Sequence, residues 1–164
     1  GDMVVALRAD RAPRTAAHFL EFALRGYLSE RSAIYRIVSA RNCERSPTIE
    51  VVQFGWRPHG EGDVPPLPPV AHESTADTGL VHRDGTLSLA RLGPGTGTSA
   101  FFFCVGDQPA LDAGGGRADD GLGFAAFGEL VEGFDALRAL HARAGTSEWL
   151  AEPLVVSGRV LRSA

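Results

Sequence analysis

Lysine is absent from the sequence: all sixteen basic residues are arginine. That excludes a Schiff-base amine and the lysine of a phosphate-binding loop. Long apolar runs are missing too. None reaches the roughly 18 residues of a membrane-spanning helix, so no membrane insertion is expected. An excess of positive charge is lacking as well, with a formal net charge of -4. Nucleic acid is therefore excluded as the main partner, because phosphate binding calls for a basic stripe. Cysteine is scarce. Cys43 sits in a polar stretch and reads as an exposed thiol, while Cys104 ends an aromatic run and reads as a core thiol. A bridge between them stays open, but two cysteines do not make a disulfide scaffold. The five histidines, His18, His59, His72, His82 and His141, show no paired metal-ligand spacing, and each reads as solvated or locally bonded. No metal and no cofactor are expected.

What is present is an ordinary globular composition, 44% hydrophobic over 164 residues, which suits one domain spanning residues 1–164. Short apolar or β-branched runs at 3–7, 33–38, 49–54, 85–90, 100–105, 124–130 and 154–161 read as strands. Pro13 opens a helix whose apolar face is Ala16, Phe19, Leu20, Ala23 and Tyr27, with Gly26 at its end. A second, shorter helix is expected over 133–141. The stretches 39–48, 57–69 and 113–123 are polar, Pro/Gly-rich or Gly-rich, and read as loops. Many short strands with two helices suggest a barrel or sandwich capped at its ends.

Several chemical motifs fail on inspection. The run GPGTGTSAFFF lacks the Gly-Lys-Ser/Thr of a phosphate loop and feeds a strand, not a helix. His82-Arg83-Asp84 has no kinase context, and Ser99 lies in no nucleophile elbow. Glu73, Asp84, Asp107, Asp112, Asp119 and Asp120 read as solvated loop acids rather than a glycosidase pair. Arg36 is different. It stands between Tyr35 and Ile37 in an apolar β-run, where a guanidinium is costly unless it has a task or points to solvent.

In order along the chain, APRTAAHFLEF, IYRIV, VVQFGW, HES…TG…GTLSLAR, GPGTGTSAFFFCV, PALD and GFAAFGELVEGFDAL are similar to the conserved stretches of cyclophilins. The resemblance covers nearly the whole chain. It implies a mainly β fold, a closed eight-stranded antiparallel barrel capped by two α-helices. It also implies a peptidyl-prolyl cis-trans isomerase acting on proline-containing peptides or unfolded clients, as a monomer. By the same resemblance Arg36 is the catalytic arginine, Gln53 holds the substrate backbone, and Phe102 floors the proline pocket. Val51, Leu111, Phe124 and Glu50 fall on pocket positions, and Ala90 with Arg91 on the segment that pairs with the peptide. Glu50 stands where the family has Phe, and Ala110 where it has a Trp tied to cyclosporin binding, so weak drug affinity is expected. A start at Gly1-Asp2 without a leader, and the family's frequent export in bacteria, favour the bacterial periplasm over the cytoplasm. The alternatives are a binding module of low turnover, or a scaffold or holdase acting through the 57–69 and 113–123 loops.

Overall fold

The computed structural model describes residues 1–29 and 31–162. Among them seven strands form one antiparallel sheet: β1 (Val4–Leu7), β2 (Ser32–Val38), β3 (Val51–Trp56), β4 (Thr86–Leu89), β5 (Ala100–Cys104), β6 (Ala125–Glu132) and β7 (Trp149–Val155). Their order across the sheet is β1-β6-β4-β5-β3-β2-β7. Six lie where the β-rich runs placed them. The seventh is Trp149–Val155 rather than 154–161, because Ala33 and Ile34 of β2 pair with Val155 and Leu154 and carry the ladder back to Trp149. The eighth strand is not found among the described residues.

Among the described residues three α-helices accompany the sheet, not two: α1 (Pro13–Leu24), α2 (Thr75–Thr78) and α3 (Phe134–His141). The extra one, α2, is a single turn, too short for a hydrophobic period to reveal. It is built by its caps: the Ser74 hydroxyl accepts from the Ala76 amide, and Gly79 closes it at φ 74°. The N-terminus of α1 is satisfied from far away. Glu73 accepts from the Thr15 amide at 2.7 Å and from its hydroxyl at 2.6 Å. Phe22, outside the expected apolar face, is completely buried beside Phe19.

One large apolar cluster lies on the inner side of the sheet, centred on Phe22, Phe101 and Phe127, and every strand contributes to it. Phe19 meets Phe101 edge to face at 4.8 Å, the geometry that aromatic quadrupoles favour. A smaller cluster, Val38, Ile49, Val51, Phe102, Cys104 and Leu111, forms on the outer side. Strict alternation explains both on β5: Phe101 and Phe103 point inward, Phe102 and Cys104 outward.

On β2 the alternation is deliberately broken. Ile34 and Ile37 both face the inner core although three residues apart, an odd separation that a regular strand sends to opposite faces. The register shows why. Ile34 pairs with Phe54 and Arg36 with Gln53, so Tyr35 is an extra residue in a β-bulge. Without that insertion Arg36 would share the face of Ile34 and enter the core. With it, Arg36 and Val38 turn outward. The bulge decides where the guanidinium goes.

Candidate functional site

On the outer face a row of side chains crosses four neighbouring strands. Arg36 on β2 is registered with Gln53 on β3, Gln53 with Phe102 on β5, and Phe102 with Ser88 on β4. Adjacent strands lie roughly 4.8 Å apart, so the row brings a cation, an amide and an aromatic ring into one cleft of about 480 Å³. Ile49, Val51, Leu111 and Phe124 wall it, and Ala90 and Arg91 form one rim. Phe124 stands edge-on to Phe102 at 5.8 Å. The result is a small apolar cup with a guanidinium over one side.

The guanidinium is held from two directions. Arg36 Nε and Nη2 donate to Glu148 Oε2 at 3.0 and 2.6 Å, and Nη1 donates to Gln53 Oε1 at 2.9 Å. Gln53 Nε2 in turn donates to the Tyr35 hydroxyl, and burial raises the pKa of that phenol. The Trp149 indole lies 5.4 Å from the guanidinium carbon. Burial by itself would raise the Glu148 carboxyl. The amide of Glu44 and the Arg36 guanidinium, with Arg117 acting from further away, more than offset it, so Glu148 lies below the usual carboxylate range. A fork held this way is preorganised: it loses little freedom when it donates to something in the cup.

The floor has its own support. His82, completely buried, lies parallel to Phe102 with ring centres 6.0 Å apart. Its Nδ1 is 2.6 Å from Asp112 Oδ1 and its Nε2 2.8 Å from Ser88 Oγ. Two loops close the remaining wall. Residues 39–48 are tied down by Asn42, whose amide group bonds the backbone at Ile37, Ser39 and Gly145. Residues 113–123 return to the site at Gly123, φ 65°, where a Cβ would meet the Leu111 carbonyl at 2.6 Å. Arg91 clamps that loop from the opposite rim through a two-pronged pair with Asp120 at 2.8 and 2.9 Å.

The cleft thus gathers Arg36, Gln53, Phe102, Val51, Leu111, Phe124, Ala90 and Arg91. Glu50 is a correction. It immediately precedes β3, and its carboxylate lies 3.3 Å from His141 Nε2 on α3, outside the cup. Alternation puts Val51 in the cup and sends its neighbour away, and Ile49 supplies apolar wall instead. His82 is of the bonded rather than the solvated kind, a partner of Asp112 and Ser88 beneath the floor. The two cysteines are free thiols, and burial pushes the Cys104 thiol up.

Trp149 and Arg117 in the cleft lining, and Glu148 behind Arg36, were not expected. Glu148 reads as one more acid in a polar stretch and Arg117 as a charge in a glycine-rich loop. Only the fold, across 112 residues, brings Glu148 to Arg36. Among the described residues no cluster of three or more His, Cys, Asp or Glu could hold a metal ion, and no helix is long and apolar enough to cross a membrane.

The family model "Cyclophilin type peptidyl-prolyl cis-trans isomerase/CLD" matches residues 1–159. Peptidyl-prolyl cis-trans isomerase B of Escherichia coli is 28% identical over 138 residues, 84% of this chain and 76% of its own length. Peptidyl-prolyl cis-trans isomerase-like 1 of Rhizopus delemar is 32% identical over 126 residues, 74% of this chain and 70% of that one. A crystal structure of a Cryptosporidium parvum cyclophilin type peptidyl-prolyl cis-trans isomerase, obtained in the presence of the dipeptide Ala-Pro, shares the fold. Its TM-score is 0.71 at 22% identity, covering 100% of this chain and 94% of that chain.

Proposed function

The chain belongs to the cyclophilin-type peptidyl-prolyl cis-trans isomerase family, and on that premise we propose that it turns X-Pro bonds in the Arg36 cup. The observation that carries this is the registered row: a pinned guanidinium, an amide and an aromatic floor on three adjacent strands.

The chemistry needs only a site that prefers the twisted amide. Resonance sets a barrier of roughly 18–20 kcal/mol to rotation. As the bond twists, the prolyl nitrogen becomes pyramidal and recovers a lone pair. Arg36 can donate to that lone pair, an interaction absent from the planar ground state, so it lowers the barrier rather than merely tightening binding. Phe102, Leu111, Val51 and Phe124 grip the proline ring and exclude water, which strengthens the donor. Gln53 and the Ala90-Arg91 backbone hold the flanking peptide so that one bond turns.

A preorganised donor of this kind is worth about 3–4 kcal/mol, on the order of a hundred- to a thousandfold in rate. Arg36→Ala is therefore expected to lose nearly all acceleration of a short X-Pro peptide while keeping the circular dichroism of the folded protein. Wild-type turnover in that variant would overturn the assignment. The displacement of Glu50 from the cup removes one reason to read a weakened binding module. Membership also supports the closed eight-stranded barrel: β1 and β7, at opposite ends of the strand order, both pack on the same inner cluster, as a sheet rolled around its core requires.

A further inference from the structure

The cup is a cationic site on an acidic protein. Among the described residues Arg36, Arg45, Arg91 and Arg117 line it and no carboxylate does, although the chain carries a formal charge of -4. Two of the four are neutralised, Arg36 by Glu148 and Arg91 by Asp120. The other two have no close, sheltered carboxylate, and Glu148 reaches Arg117 only from beyond 4.0 Å. Arg117 is only 4% exposed and has no carboxylate within 4.0 Å among the described residues. Its Nη1 donates to the carbonyls of Arg45 at 2.8 Å and Pro47 at 3.1 Å and reaches Cys43 Sγ at 3.5 Å. Neutral acceptors satisfy Nη1 but leave the charge. Its Nε and Nη2 have no hydrogen-bond partner among the described residues. Arg45 donates back to the Arg117 carbonyl at 3.2 Å, and its nearest acid, Asp119, is 3.7 Å away and 95% exposed. A pair so open to water neutralises little.

Burying a guanidinium without a counter-charge is costly. The two loops nevertheless place one at the end of the cup, beside the apolar walls of Ile49, Leu111 and Phe124. Such walls lower the local dielectric and extend the reach of the charge into the cleft. Arginine's planar fork matches a carboxylate.

We infer that the cup selects X-Pro segments carrying a carboxylate beside the proline, with Arg117 and Arg45 as the residues that set this specificity. The inference rests on the isomerase reading of the same cleft and adds the substrate class.

The test uses the whole chain and matched short peptides with Glu, Ala or Lys at the residue before proline, and again at the residue after it. Dissociation constants and cis-trans exchange rates are both read by NMR. At one of the two positions the Glu peptide is expected to bind about five- to tenfold tighter than the Ala peptide, the size of one partly screened ion pair. The Lys peptide is expected to bind more weakly than either. The preference shrinks at about 1 M salt, where the screening length is about 3 Å. It also shrinks in Arg45→Gln and in Arg117→Gln. Because Arg117 also joins the loops, Arg45→Gln and the salt series on the unaltered protein decide the matter if Arg117→Gln fails to fold. Equal affinities at both positions, or a preference indifferent to salt, would overturn the inference. Turnover separates the two readings. Acceleration of all the peptides alike, with equal binding, leaves the isomerase and removes the selectivity. Glu-selective binding without acceleration does the reverse.

Discussion

Phe101 and Phe102 are adjacent in one strand, are the same residue type and are both buried, yet they belong to different parts of the molecule. Phe101 points into the inner cluster and touches Phe19, Phe22, Phe54 and Phe127. Phe102 points outward, with His82 beneath it, Phe124 edge-on, and the cleft in front. The inner face is held by apolar packing that any filled core needs. The outer face is an apolar floor ringed by arginines, each held by hydrogen bonds to acids or carbonyls. Stability is concentrated on one side of the sheet and chemistry on the other.

The sharpest way to break this contrast is to truncate each ring in turn. Phe101→Ala should cost about 3–5 kcal/mol, the range for a buried aromatic that leaves a cavity. That is a large part of a typical domain's stability, and urea unfolding would report it as a lower midpoint. Phe102→Ala should cost less, because one side of its site is already a cleft, and should instead reduce turnover. Losing burial of the proline ring, about 1.5–3 kcal/mol, corresponds to roughly ten- to a hundredfold in kcat/KM. If the two variants lost stability equally, the division between the faces would not hold.

Glu148→Gln probes the polar side more finely. It keeps the shape but removes the counter-charge of Arg36, so turnover is expected to fall about tenfold with a stability loss of about 1–3 kcal/mol at neutral pH. The pH dependence has a definite sign. The folded-state pKa of Glu148 lies below its unfolded value, so its contribution is complete above the ordinary glutamate pKa, about 4.3, and is lost as pH falls through the lowered value. The gap in Tm between wild type and Glu148→Gln should be widest near neutrality and close in acid. A gap independent of pH would mean that the carboxylate charge contributes nothing.

Much of this was legible in one dimension. β-rich runs bounded by Gly and Pro located six strands, and Pro13 and Gly133 located two helix starts. The same ordered segments that resemble cyclophilins singled out Arg36, Gln53 and Phe102, which the register then places side by side. Glu50 was misassigned because a one-residue alternation at the start of β3 decides its face, and β3 begins only at Val51.

The amino-acid sequence by itself determined the periodicities, the turns and the residue types available to the cup, because these depend on neighbours a few positions apart. Only the tertiary structure decided which of those residues meet. The bulge at Tyr35 turns Arg36 out of the core, and the strand register brings Glu148 to it. The two loops lock together through Arg117 and leave its charge facing the cleft. Each of these joins groups distant in the chain, and such pairings depend on loop paths and register that no local pattern encodes.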